Sequence, residues 1–367
     1  MPELAEIFRL YGPDYLDLFS DRMLPSHIRA LRDIAQCRTE ALGGHIYQCD
    51  QCGYLHYAYH SCRNRHCPKC HYMDTREWIE KCRNLILPVT HFHLVFTLPQ
   101  ELREIVRAHQ SELLGILCQA SAHALKKLAM DPHYLGGRIG ILCVVHTWTR
   151  AMVYHPHAHC LVPGGGLSED GKRWLSSRKT FLVPVKALSV IFRAKFMELA
   201  RKALPHVRFP DSVWRKNWVV YAKPAVQGAD KVIDYLARYV HRVAITNSRI
   251  LSMENGQIRF RYKDSRDGAW KTMTLQAHEF IRRFLQHVLP QGFNKVRYYG
   301  ILSPSNRHLL EQAKELLADR KKDRENSTGN DPVVLPDPHT EPMLCPSCKK
   351  GHLLCIGTVP PKGRDPP

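Results

Sequence analysis

The stretch 49–70, CDQCGYLHYAYHSCRNRHCPKC, sets the tightest limit on what this chain can fold into. It has almost no aliphatic residues and no helical period, so it has little with which to build a core of its own. Its cysteines offer another source of stability. Cys49/Cys52 and Cys67/Cys70 form two C-x2-C pairs, and Asp50, Gln51, Pro68 and Lys69 between them suit tight knuckles. Four sulfurs in a tetrahedral array are what zinc prefers. The reading is one structural Zn2+ on Cys49, Cys52, Cys67 and Cys70, a fold staple because protein fills every coordination position. The alternatives are two unrelated thiol pairs or an iron–sulfur centre. Cys37, Cys62 and several histidines nearby allow a second ion without fixing its ligands. Arg63 and Arg65 on the same knuckle are expected either to touch DNA or to be simply solvated.

The chain has 367 residues, enough for one large core or two to three domains. Its 53 Lys and Arg against 34 Asp and Glu leave a net charge of +19, which argues for an anionic partner, nucleic acid ahead of membrane. No run of about 18 uncharged apolar residues exists, and the N-terminus lacks a basic-then-apolar leader pattern. A cytoplasmic protein, on the nucleoid when bound to DNA, is expected. In that compartment the 13 cysteines read as metal ligands or buried thiols rather than disulfides.

Segments 1–36 read as helical, 37–74 as the zinc-binding module and 75–300 as the main domain. Segment 301–367 reads as a helix followed by a flexible Pro-rich tail. Within the main domain, helices are expected over 75–87, 101–130, 187–203, 228–243 and 277–290. HFHLVFTLP (91–99), two segments within 141–165, a Trp174-led strand and WVVYAKP (218–224) read as strands. The ENG and DG pairs mark hairpins between 245 and 275. Strands joined by both turns and long helices describe an α+β domain with a largely antiparallel sheet. Near the C-terminus, Cys345 and Cys348, with His352 or Cys355, form a candidate for a further small zinc site.

In YHPHAHCLVPGGG (154–166), His155, His157 and His159 fall at every second position. On a strand they share a face. Pro156 removes a ladder donor and points to an edge or strand start, which makes His155 a weaker ligand than the pair after it. His157 and His159 are therefore candidates to chelate a divalent ion. A third ligand is expected from His93 or His91, with His146 or a carboxylate as alternatives; a histidine cluster holding no metal is the plain reading. The glycine run lacks the lysine spacing of a phosphate loop and reads as a turn, so no ATPase is expected. Further on, Tyr235 and Tyr239 stand four apart on a predicted helix and share a face. They are either an aromatic stripe against the sheet or a pair of nucleophiles. A phenol of pKa about 10 attacks poorly at neutral pH unless a metal polarises its target, as it would a phosphodiester.

These motifs resemble a known family. FTLP (96–99), HAH (157–159) and YLARY (235–239) look like the three motifs of HUH endonucleases, in the order found in rolling-circle replication proteins and related transposases. SCRNRHCPKC, HTWTRAMVYHPHAHCLVPGGG and FIRRFLQHVLPQGFNKVRYYG are similar, more narrowly, to IS91-family transposases; the resemblance covers roughly 20–305. It implies a ferredoxin-like palm with a central antiparallel sheet flanked by helices, next to the N-terminal zinc module. It implies Mg2+ or Mn2+ on His157 and His159 with one further ligand. Tyr235 and Tyr239 would be nucleophiles that form 5′-phosphotyrosine links and free 3′-OH ends. The substrate would be single-stranded DNA at insertion-element ends and the target. On this reading Arg238 and Arg242 hold phosphates beside the tyrosines, and Arg282, Arg283, Lys295 and Arg297 form a second basic group, with Tyr298 and Tyr299 stacking bases. A non-catalytic zinc-containing DNA-binding protein and a plasmid replication initiator are the rival readings. Two nucleophiles in one chain make a monomer chemically sufficient, and monomer or dimer is left open.

Overall fold

The structure is a computed structural model and describes residues 2–70, 78, 82–224, 243–264, 266–322 and 343–362. Two helices, α1 (Leu4–Phe19) and α2 (Pro25–Ala35), precede a hairpin of β1 (Gly44–Cys49) and β2 (Leu55–Tyr59). Next come β3 (His91–Thr97), α3 (Arg103–Ala108) and α4 (Gln110–Ala129). The single helix expected over 101–130 is thus two, because His109 leaves the helical region at φ −124° and ψ 51°. β4 (Gly140–Trp148) and β5 (Tyr154–Pro163) form the hairpin that carries the histidine motif. β6 (Gly165–Leu167) and β7 (Trp174–Ser176) make a small ribbon, so the glycine run forms strand and turn. α5 (Val185–Ala203) leads to β8 (Val220–Pro224).

β3, β4, β5 and β8 join the later strand Val296–Gly300 in a five-stranded, wholly antiparallel sheet, with β5 between β4 and β3. Strand alternation divides its faces. Phe92, Leu94 and Phe96 of β3, Cys143 and Val145 of β4, and Ala158, Cys160 and Val162 of β5 bury against α4 and α5. His93, His146, His157 and His159 fall on the opposite face. The mixed α+β class expected from sequence is what the structure has, antiparallel sheets flanked by helices.

A second core lies beside this sheet. β9 (Ile250–Glu254), β10 (Gln257–Lys263) and β11 (Trp270–Gln276) form an antiparallel meander, followed by α6 (Ala277–Leu285). Asn255 and Gly256, at φ 49° and 72°, turn β9 into β10. Both central residues have positive φ, as a tight two-residue hairpin requires, which is the reason for the ENG sequence. Phe8, Leu31 and Ile34 of the N-terminal helices pack with Phe260, Phe280 and Phe284, and the Phe8 and Phe284 rings meet edge to face at 5.3 Å. Segment 1–36 is therefore built onto the meander and α6 rather than standing apart.

The remaining elements are β12 (Val296–Gly300), α7 (Arg307–Lys322) and β13 (Leu353–Val359). Leu310, Ala313 and Leu317 of α7 cover the end of the central sheet through Leu142, Val144, Leu161 and Trp174. β13 pairs antiparallel with β1, from Gly44 opposite Val359 to Cys49 opposite Leu353. Much of the expected 75–87 helix, all but the last residue of the expected 228–243 helix, and the Pro-rich stretch lie outside the described residues. The C-terminal end does not form a separate tail: its last strand completes the sheet of the N-terminal module.

Candidate active site and metal centres

β4 and β5 set His146 directly opposite His157, and β5 carries His159 on the same face. Their ligand nitrogens all lie within 4.8 Å of one another. The third member of the cluster is thus His146, not His93. His93 sits opposite Leu161, and its Nε2 lies 2.8 Å from Nδ1 of His159. Burial lowers the His93 pKa to about 4, with Lys223 adding to the shift, so the ring is neutral. With the proton on Nδ1 of His159, a neutral His93 accepts it and leaves the lone pair of His159 Nε2 for a ligand role. His157 is oriented in the same sense, its Nδ1 lying 2.6 Å from the carbonyl oxygen of His155. A neutral imidazole held through one nitrogen presents the other as a ligand, the arrangement seen around protein-bound metals. The three imidazoles therefore fit a divalent ion.

His155 stands outside this cluster. Its Nδ1 accepts from Nη2 of Arg103 at 2.9 Å, and burial together with Arg103 lowers its pKa to about 4. Pro156, which demoted it in the sequence, lies within β5 rather than at its start.

The histidines open into a cavity of about 800 Å³ whose cationic wall is Arg103, Arg150, Arg249, Lys263 and Arg266. Of the acidic groups, Asp264 is taken by Lys271 at 2.7 Å. Trp148 stacks on His146 with ring centroids 4.7 Å apart, and the Lys295 ammonium lies 5.2 Å from the Trp148 ring. Such a surface attracts polyanions, while the Trp148 ring is buried beneath it. Sequence reasoning missed Arg103, Arg150, Arg249 and Arg266, which come from three separate segments. His146, named among the alternatives for the third ligand, had a signal: it directly follows the apolar run ILCVV in the same strand.

The other expected basic contacts fare unevenly. Arg65 turns inward, donating to the carbonyl oxygens of Leu289, Pro290 and Phe293 at 3.2, 2.7 and 2.5 Å. It binds protein, not DNA, because three unpaired carbonyls beyond α6 need a donor that Arg can fork across. Arg63 is exposed beside it, in the left-handed region at φ 50°. Arg282 and Arg283 share the Glu279 carboxylate, at 2.6 and 2.7 Å, and hold its pKa down to about 2. Arg297 covers the Phe293 ring at 5.2 Å, opposite Cys143 and so on the helix-packed face of the sheet. Tyr298 and Tyr299 are not base-stacking platforms, since Tyr298 reaches Cys82 and Tyr299 packs on the main core. Tyr235, Tyr239, Arg238 and Arg242 lie outside the described residues.

The four cysteines Cys49, Cys52, Cys67 and Cys70 do not come together. Cys67 and Cys70 join Cys37 and Cys62, while Cys49 and Cys52 join Cys345 and Cys348. In the first group the Sγ atoms of Cys37, Cys62 and Cys67 stand 3.5–3.6 Å from a neighbour in the set. Tetrahedral thiolates on zinc, each about 2.3 Å from the ion, stand about 3.8 Å apart, so the spacing fits. The sequence-based pairing failed because the first C-x2-C knuckle is the tip of the β1–β2 hairpin, and β2 runs from it back toward the second.

Comparison with known proteins accords with these features. Residues 140–309 match a family model described as "Putative transposase", and residues 7–98 match one described as "Transposase zinc-binding domain". With the cysteine clusters, the second match supports structural zinc in this protein. The chain is 40% identical to "Putative transposase y4qJ" of Sinorhizobium fredii (strain NBRC 101917 / NGR234), over 97% of this chain and 95% of that protein. It is 28% identical to the "Transposase for insertion sequence element IS801" of Pseudomonas savastanoi pv. phaseolicola, over 82% of this chain and 79% of the other. No solved structure matches it with significance. The cationic, histidine-lined cavity and the cysteine clusters thus sit in a chain that belongs to the IS91 family of transposases, whose substrates are DNA.

Proposed function

We propose that this transposase is a single-strand DNA endonuclease and strand transferase that uses tyrosine as nucleophile. The observation that carries the reading is the convergence of His146, His157 and His159, two of them oriented through their Nδ1 atoms by His93 and by a backbone carbonyl. When bound there, Mg2+ or Mn2+ supplies positive charge to the non-bridging oxygens of a phosphodiester. Arg103, Arg150 and Arg266, which line the cavity, hold the flanking phosphates. The phenol oxygen of Tyr235 or Tyr239 bonds to phosphorus as the bond to the 3′-oxygen breaks. The phenol proton is lost to solvent, and the leaving 3′-oxygen takes up a proton. The product is a 5′-phosphotyrosine and a free 3′-OH. The phosphoester energy is kept, so a 3′-OH can reverse the step and join strands without ATP. Two tyrosines would serve successive strand exchanges in a rolling-circle-like route.

The test uses a labelled single-stranded element end incubated with protein and Mg2+ or Mn2+. A covalent protein–DNA adduct is expected, and it disappears when Tyr235→Phe and Tyr239→Phe are combined. Tight binding without an adduct at any terminal sequence would instead mark a zinc-containing DNA-binding protein without catalysis.

A further inference from the structure

Cys345 and Cys348 lie beyond both segments that match transposase families, 7–98 and 140–309. Cys345 follows Cys52 by 293 residues, yet their Sγ atoms are 3.7 Å apart, as are those of Cys49 and Cys348. All four sulfurs lie within 4.8 Å of one another. A disulfide would need about 2.05 Å, whereas tetrahedral thiolates on zinc stand about 3.8 Å apart.

Both knuckles are shaped for thiolates. The Gln51 and Cys52 amides point at Sγ of Cys49, each at 3.4 Å, and the Gly351 amide points at Sγ of Cys348 at 3.3 Å. Amide donation to sulfur favours the charged form that binds metal. The knuckles also hold each other. Asp50 donates its amide to the His352 carbonyl at 3.1 Å, and Asp50 Oδ1 accepts the His352 amide at 2.9 Å. A Cβ at Gly351 would fall 2.6 Å from Sγ of Cys49, so no other residue allows this approach. The apolar support is small: among the described residues, only Tyr47 and Leu353 pack among Cys49, Cys345 and Cys348. So small a cluster does not hold a sheet without a metal or covalent staple.

We propose that Cys49, Cys52, Cys345 and Cys348 bind a Zn2+ of their own, separate from an ion on Cys37, Cys62, Cys67 and Cys70. This ion clasps the C-terminal strand β13 onto the N-terminal module and so joins the two ends of the chain. The site is built by the knuckles of both ends, each of which contributes two of its four ligands.

The test counts zinc in full-length protein by mass spectrometry of the digested metal. The wild type is expected to hold two zinc ions per chain, one for each cysteine group, and the Cys345→Ser/Cys348→Ser variant one. A second measurement does not depend on that variant folding. A specific protease site is placed within 323–342 of the otherwise wild-type chain and cleaved. The C-terminal fragment is expected to co-elute with the body of the protein and to dissociate on adding a zinc chelator. One zinc in the wild type, two in the double-serine variant, or a fragment that leaves without chelator would overturn the clasp.

Discussion

At the scale of single residues, His93 and His146 differ by strand register. Both are buried histidines on the face that carries His157 and His159. His146 lies straight across the ladder from His157, while His93 lies opposite Leu161 and reaches only the Nδ1 of His159. A ligand and a residue that orients a ligand lose different amounts when removed. His93→Ala is expected to weaken Mn2+ binding about 10–100-fold, and His146→Ala to weaken it more, read by Mn2+ titration with electron paramagnetic resonance. The reverse order would make His93 the ligand. Arg65 shows the same limit on sequence reading: its place in a basic knuckle suggests DNA, yet burial and three carbonyls claim its guanidinium.

At the scale of elements, the two faces of β5 were legible, although Pro156 lies inside this central strand and not at the edge or start expected of it. Alternation of histidine with Tyr154, Pro156, Ala158 and Cys160 predicts one buried face and one site-bearing face, and that is how it folds. The Asn255–Gly256 hairpin and the helix that α6 opens were equally plain. The segment just after α6 was harder to read. His287 is buried between α6 and the β4–β5 turn, its Nε2 3.2 Å from the Met152 carbonyl and its Nδ1 3.2 Å from the Thr147 hydroxyl. Burial lowers its pKa to about 3. The unfolded chain binds a proton near pH 6.5 that the folded state refuses, so stability falls as pH drops from there toward about 3. The slope from this one group is about 1.4 kcal/mol per pH unit. His287→Gln is expected to be less stable at neutral pH by about 1–3 kcal/mol but to lose stability less steeply in acid. Urea unfolding across the pH range measures both, and an unchanged acid slope would refute the assignment.

At the scale of the whole molecule, the net charge of +19 correctly pointed to nucleic acid. It did not say which cations stay available to it. Arg282 and Arg283 are drawn to Glu279 and Arg249 donates to the carbonyls of Ala244, Arg150 and Arg261, whereas Arg150 and Lys263 line the histidine cavity with their charged ends. Each phosphate contact with a single strand contributes a slope of about −0.7 to log affinity against log salt. Arg150→Ala combined with Lys263→Ala is expected to make that slope shallower by about 1.4, two such contacts. Arg282→Ala with Arg283→Ala should leave it nearly unchanged. Fluorescence anisotropy on a labelled single strand at several salt concentrations separates the pairs, and equal effects would remove the cavity from the DNA path.

The sequence by itself determined what depends on spacings of a few residues. Backbone geometry puts alternate strand residues on one face, so the shared face of His157 and His159 could be read directly. Two cysteines three apart make a knuckle in any surroundings, and Asn-Gly adopts a tight turn because of its own backbone preferences. The tertiary structure decided which distant segments meet. It placed His146 across from His157, split the expected zinc set between two clusters, and brought Cys345 and Cys348 from the far end of the chain to Cys49 and Cys52. Those partnerships arise from strand register and chain path, which are settled by packing of the entire molecule and leave no mark in any local pattern.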